Sequence, residues 1–109
     1  MNQQTYESFF VNFANKTKFH IIVCLQKKEM NVGEISKCID EEQSKVSHNL
    51  QKMAACNIVD VKKNGKERIY SLNKKTVMPI LKIVQKHVIE NCDCVYCINK
   101  CPVKIKNAV

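Results

Sequence analysis

Glycine is nearly absent from this chain: Gly33 and Gly65 are the only two in 109 residues. A loop that cradles phosphates needs several glycines close together, so nucleotide chemistry of that kind is excluded. No nucleophile–base pair stands out to suggest other catalysis, and the chain is read as not an enzyme. Long hydrophobic runs are missing too; none approaches the roughly 18 residues that a membrane span needs. The N-terminus has neither the basic start nor the unbroken apolar core of a secretory signal. The expectation is one small domain in a soluble, cytoplasmic protein with no membrane partner. Acids are the scarcest feature of one segment. Residues 43–86 carry ten Lys/Arg against two acids, Asp60 and Glu67, which accounts for the whole formal net charge of +8. Basicity concentrated in this way suits a polyanion-binding face.

What is present is best read outward from residues 42–57, EQSKVSHNLQKMAACN. On a helix, Val46, Leu50 and Met53 fall at i, i+4 and i+7 and form one apolar stripe. The other side carries Ser44, Ser47, His48 and Gln51, with Gln43 at its start, flanked by Lys45 and Lys52, and has no carboxylate after Glu42. Phosphates repel acids and base edges need short polar groups, so such a face fits a nucleic-acid groove. An ordinary solvated helix face is the alternative reading of the same residues.

The flanking segments supply the rest of a small, mostly helical fold. Tyr6, Phe9, Phe10 and Phe13 recur at helical spacing and form an apolar surface that needs something to lie against. A second helix starts near Asn15 or Thr17, both competent N-caps, and runs through Gln26 with Phe19, Ile21, Ile22 and Leu25 buried. Asn31 with Glu34 reads as a capping box for a short third helix, residues 32–38. Asp40, Glu41 and Glu42 then stand at the start of the next helix, where acids favour its dipole. Two short helices joined by a tight turn form a helix-turn-helix. The second stops at Asn57, a residue tolerant of the left-handed conformation. Residues 58–61 and 68–72 are two strands joined through Asn64-Gly65, a strong hairpin signal. Lys62, Lys63, Lys66 and Arg68 make that hairpin a wing able to lie along phosphates, with a solvated turn as the alternative reading. A last helix, residues 76–91, tolerates Pro79 in its first turn. It has two apolar sides, Val77, Leu81, Val84 and Val88 on one and Ile80 and Ile83 on the other. A homodimer in which this helix and the aromatic first helix meet their copies would bury the surplus, and would set two recognition helices about 34–36 Å apart, one turn of B-DNA.

Seven cysteines are an odd number, and their distribution is wrong for a disulfide scaffold. Cys24, Cys38 and Cys56 are scattered through helical patterns, with Cys24 read as small apolar core filler. The other four crowd together in Cys92-Asp-Cys-Val-Tyr-Cys-Ile-Asn-Lys-Cys-Pro102. Clustered thiols in a cytosolic chain point to metal or redox chemistry rather than structural bridges. Cys92, Cys94, Cys97 and Cys101 can converge on one soft ion through local turns alone. The expected cofactor is a metal ion, zinc or another thiophilic ion, ahead of an iron–sulfur cluster, whose cysteine run has a first spacing one residue longer. A tetrathiolate zinc site, a three-thiol sensor for arsenite or a soft metal, and a dithiol redox switch all fit. His87 and Glu90, one to two turns upstream, are candidate auxiliary ligands; a partly buried interface residue is the alternative for His87. The chain thus divides into a DNA-binding and dimerisation domain, residues 1–91, and a cysteine-rich tail, residues 92–109.

With these elements in order (α-α-α-α-β-β-α), the chain resembles the ArsR/SmtB family of winged helix-turn-helix repressors. Residues 15–72 carry the resemblance. Asn15-Lys-Thr-Lys-Phe-His-Ile-Ile22 is similar to the family's Asp-Pro-Thr-Arg-Leu-Arg-Ile-Leu, and Gln43-Ser-Lys-Val-Ser-His-Asn-Leu50 to its Gln-Pro-Thr-Val-Ser-x-His-Leu recognition helix. Cys56-Asn-Ile-Val59 fits Ala-Gly-Leu-Val, and Arg68-Ile-Tyr-Ser-Leu72 closes the wing. Asn49 stands where the family usually has His. The resemblance implies a homodimer that binds a palindromic double-stranded DNA operator and releases it when an inducer binds, here a metal, metalloid or oxidant acting at the tail. It also assigns Cys38 and Cys56 to small core positions. The family's two best-known metal sites do not carry over whole. Asn31 and Gly33 replace the paired thiols at the third helix. His87-x-x-Glu90 matches half of the site on the last helix, but Lys74 and Thr76 replace its Asp and His. Two other readings stay open: a metal- or thiol-handling protein whose winged helix binds protein, and a repressor with a purely structural zinc tail.

Overall fold

A computed structural model describes residues 2–91 of the chain. Five helices and one hairpin follow in the order α1 (Gln3–Ala14), α2 (Lys16–Lys27), α3 (Val32–Ile39), α4 (Gln43–Ala55), β1 (Val59–Asn64), β2 (Glu67–Leu72) and α5 (Val77–Asn91). They fall into two compact units that divide after Asn73; α5 belongs to the second. No described helix is long and apolar enough to cross a membrane.

Asparagine starts the first three helices, because its short side chain can satisfy a first-turn N–H that has no partner inside the helix. Asn2 accepts from the Thr5 amide and Asn15 from the Lys18 amide, each at 3.0 Å. Asn15 also ends α1, donating its own N–H to the Val11 carbonyl. The expected capping box is formed: the Glu34 amide donates to Asn31 Oδ1 at 2.8 Å and the Asn31 amide to Glu34 Oε1 at 3.0 Å. On α1, Phe13 meets Phe19 of α2 with ring centroids 6.5 Å apart, while Tyr6, Phe10 and Val11 face outward. Asn12 is buried there, its amide donating to the Ser8 and Phe9 carbonyls.

The core of the first unit is built from Ile21, Ile22 and Leu25 of α2, Ile35 of α3, Val46, Leu50 and Met53 of α4, Ile58 just before β1, and Val59, Tyr70 and Leu72 of the hairpin. Phe19, expected in this core, is only half-buried at its edge. Asp40 departs from its expected role as an acid favouring the α4 dipole. It closes α3 in the left-handed conformation (φ 56°, ψ 54°), leaving Glu42 as the N-cap of α4. Asn57 does adopt the left-handed conformation (φ 58°) after α4. The Ile58 amide reaches back to Met53 and the Asn57 amide to Ala54, a Schellman closure with Ile58 buried beneath it.

The hairpin register pairs Val59 with Leu72 and Asn64 with Glu67, so the two loop residues are Gly65 and Lys66 rather than Asn64 and Gly65. Glycine satisfies the turn from either site, since what a tight hairpin needs is a positive φ, here 68° at Gly65 alone. Met30, just before α3, makes a single-residue bridge to the edge of β2: it exchanges both backbone hydrogen bonds with Tyr70, at 3.0 and 2.8 Å.

The expectations for the scattered cysteines need correcting. Cys24 does not act as a free apolar filler; its sulfur is bonded to that of Cys38, joining α2 to α3 with Cα atoms 6.6 Å apart. Cys38 and Cys56 do not occupy core positions but are exposed: Cys38 lies in the last turn of α3 and Cys56 past the last turn of α4.

In the second unit, α5 buries Val77, Leu81 and Gln85 at i, i+4 and i+8. Val84, expected to share that side with Val77 and Leu81, is exposed, as are Ile83 and Ile89.

Candidate nucleic-acid interface

The orientation of α4 follows from burial. Val46, Leu50 and Met53 are all fully buried, so the helix cannot turn without exposing them and burying cations. Gln43, Ser44, Lys45, His48, Gln51 and Lys52 are consequently exposed and Ser47 half-exposed. Asn49 is not free for a base edge: its amide donates to the Lys45 carbonyl at 2.9 Å. Lys45 is held by Glu41 at 3.1 Å, an exposed pair of the kind worth at most about 1 kcal/mol and easily exchanged for a phosphate.

On the hairpin, Lys62, Lys63, Lys66 and Arg68 are all exposed. Strand alternation divides them. Lys62 lies 4.0 Å from Glu29 of the α2–α3 connection. Lys63 falls on the opposite face, directly across from Arg68 in the register. Two like charges facing each other across a ladder destabilise it. Neither has an acidic partner among the described residues, nor do Lys52 and Lys66. Positions kept at that cost suit an anion that comes from outside.

Two contacts that sequence reasoning missed set the wing relative to the helix-turn-helix. One is the Met30–Tyr70 backbone pairing. The other is the 3.0 Å hydrogen bond from Asn31 Nδ2 to Glu67 Oε1 at the root of the turn. Both join residues about forty apart in the chain, and the only sequence signal near them is the Asn31–Glu34 capping box.

The positions of the inherited metal sites serve other purposes here. Asn31 caps α3 and holds the wing, so its side chain is committed. His87 is exposed in the single chain, with Nδ1 3.4 Å from Asn91 Nδ2, and Glu90 is exposed on the same helix. Among the described residues no group of three or more His, Cys, Asp or Glu side chains could hold a metal ion. Cys92, Cys94, Cys97 and Cys101 lie outside the described residues.

Helix, turn, recognition helix and an anchored basic hairpin together define a winged helix-turn-helix. The comparisons agree: residues 15–61 match the family described as bacterial regulatory protein, arsR family. The nodulation protein NolR of Rhizobium meliloti is 32% identical over 73 residues, which are 67% of this chain and 60% of that protein. Among solved structures, the crystal structure of NolR from Sinorhizobium fredii superposes with a TM-score of 0.65 at 27% identity, covering 79% of this chain and 92% of that one. The homodimeric winged helix-turn-helix DNA-binding domain of Mb0332 from Mycobacterium bovis gives 0.73 at 20% identity, covering 83% of both chains. Over residues 15–61 the chain is thus similar to the arsR family, and its fold is that of a winged helix-turn-helix DNA-binding domain. It spans about 60% of the length of the curated relative it matches.

Proposed function

We propose that the protein is a homodimeric repressor whose grip on a palindromic DNA operator is set by a metal, metalloid or thiol-redox event at Cys92, Cys94, Cys97 and Cys101. The observation that carries the DNA-reading part is the acid-free outer face of α4. Ser44, Ser47, His48 and Gln51 supply short donors and acceptors to base edges, Lys52 supplies charge to phosphates, and the Lys63–Arg68 pair of the wing meets the backbone alongside. Dimerisation is supported by apolar side chains left exposed among the described residues: Tyr6, Phe10 and Val11 on α1, and Ile83, Val84 and Ile89 on α5. A second copy burying such side chains gains about 1.5–3 kcal/mol for each one fully covered.

The tail continues directly from α5. A soft ion held by its thiolates, or a disulfide formed between them, would fix the two tails of a dimer, shift the packing of the α5 helices and move the recognition helices out of register. A coupling of about 1–3 kcal/mol changes operator affinity roughly 5- to 150-fold. The test pairs binding with content. Duplex binding should fall steeply between about 50 and 200 mM salt. Anaerobically purified protein should carry a bound soft metal, or respond to an oxidant, through the tail. Replacing the four tail cysteines with serine should abolish that response and leave DNA binding intact. Unchanged metal content and unchanged response would remove the tail from the mechanism.

A further inference from the structure

The Cys24–Cys38 bond lies at the root of both DNA-facing elements without belonging to either. Cys38 is on α3, which leads through a short turn into α4. The two cysteines are 14 apart in sequence, and the ring that their bond closes contains Met30 and Asn31, the two residues that hold the wing. One covalent bond therefore constrains the first helix of the helix-turn-helix and the wing anchor together. Its two sulfurs are not equivalent: Cys24 sits 6% exposed among Ile21, Ile22 and Leu25, whereas Cys38 is exposed. No described acid, lysine or histidine bonds to either residue, so access alone decides which half an incoming thiol meets.

We propose that this cystine is a thiol–disulfide exchange site, attacked at Cys38, through which a thiol or dithiol reductant lowers DNA affinity; the proposal rests on the DNA-binding reading above but not on the tail. A thiolate attacks Sγ of Cys38 and forms a mixed disulfide with it. The Cys24–Cys38 bond breaks, and its electron pair leaves on Cys24 Sγ, which takes up a proton. A second thiolate attacks the reductant's sulfur and releases Cys38 as a thiolate, which is then protonated. In sum two reductant thiols become one disulfide and the cystine takes up two electrons and two protons. With the ring open, α3 and the Met30–Asn31 segment are no longer tied to α2. The order that DNA contact requires must then be supplied at binding, which weakens it.

The experiment uses the full chain carrying C56S, C92S, C94S, C97S and C101S, so that only Cys24 and Cys38 can respond. The probe is a 30-bp duplex recovered from a random-sequence pool by the wild-type protein, at fixed salt and well below the melting temperature. The oxidised protein should bind on the order of tenfold more tightly than the same protein after dithiol treatment. Adding C24A and C38A should give the weaker affinity under both conditions. In the wild-type chain, brief exposure to a monothiol followed by peptide mapping should recover the adduct on Cys38 and not on Cys24, a readout that survives if the serine variant folds poorly. Equal affinity in both redox states, even with a lowered melting temperature, would make the bond a staple and overturn the proposal. An adduct confined to Cys24 would overturn the assigned point of attack. A protein that binds no duplex in either state overturns the DNA-binding reading as well, whereas loss of the redox step alone leaves that reading standing.

Discussion

Helices α4 and α5 are built on one plan and present opposite surfaces. Each buries a stripe at successive turns: Val46, Leu50 and Met53 on α4, and Val77, Leu81 and Gln85 on α5. Outside the stripe, α4 carries serines, a histidine, amides and lysines, whereas α5 carries Ile83, Val84 and Ile89, the two isoleucines about two-thirds exposed. Water accepts the first surface at no cost and a polyanion improves it. It penalises the second, which only an apolar partner relieves. On the proposed function, the contrast separates a face that reads DNA from a face that pairs with a second copy, and substitutions on the two outer faces should divide accordingly.

The sharpest break is a charge on the pairing face. Ile83→Asp, made together with Ile89→Asp, should leave the helix-turn-helix unit folded but put unpaired carboxylates where an apolar partner belongs, at a cost of several kcal/mol. Sedimentation at micromolar concentration should find monomer, and operator affinity should fall by at least about a hundredfold because two half-sites are no longer held together. A variant that stays dimeric would show that this face pairs with nothing.

Next come neighbouring positions on α4 itself. Leu50 is fully buried, and Leu50→Ala should cost about 2–5 kcal/mol of stability, read as a lower melting temperature. Gln51→Ala, one residue on, should change stability by less than about 0.5 kcal/mol. Its loss should appear instead in DNA binding, about 1–3 kcal/mol and at particular base pairs only. If Gln51→Ala weakened all sequences equally, its side chain would be a phosphate contact and the register of α4 in the groove would need reassigning.

That division was largely legible in the sequence, because periodic burial leaves a periodic trace. Val46, Leu50 and Met53 repeat at the helical interval, the Asn31–Glu34 box reports its own geometry, and Asn57 is one of few residues that takes a positive φ cheaply. What escaped depends on packing between distant segments. Met30 pairs with Tyr70 through backbone atoms alone, which no side-chain pattern encodes. Cys24 and Cys38 meet only because α3 crosses α2 at that height, so their spacing in sequence carries no signal. The exposed Val84 and buried Gln85 invert simple hydropathy, since position on the helix decides burial and polarity does not. The candidate site was legible in its residue types. Its division into engaged and free cations, Lys45 and Lys62 against Lys52, Lys63, Lys66 and Arg68, needed the positions of Glu41 and Glu29.

Engaged and free cations should differ in salt dependence. Lys52→Gln or Arg68→Gln removes a charge that no described acid holds, and each should lower the slope of log affinity against log salt by about one, uniformly across sequences. Lys62→Gln should lower it less, because part of that charge already faces Glu29. Equal slopes for Lys62 and Lys52 would mean that DNA displaces Glu29 completely.

The smallest effect has opposite signs in its two readouts. Lys63 faces Arg68 across the hairpin, a like-charge pair that weakens the free protein. Lys63→Glu turns it into an opposite-charge pair and should stabilise the hairpin by about 0.2–1 kcal/mol, seen as a slightly higher melting temperature. The same change places a carboxylate where a phosphate would lie, so duplex affinity should fall while stability rises. A merely solvated turn would gain the stability and lose nothing in binding. Only a surface kept unfavourable for the sake of an external anion has to trade one against the other.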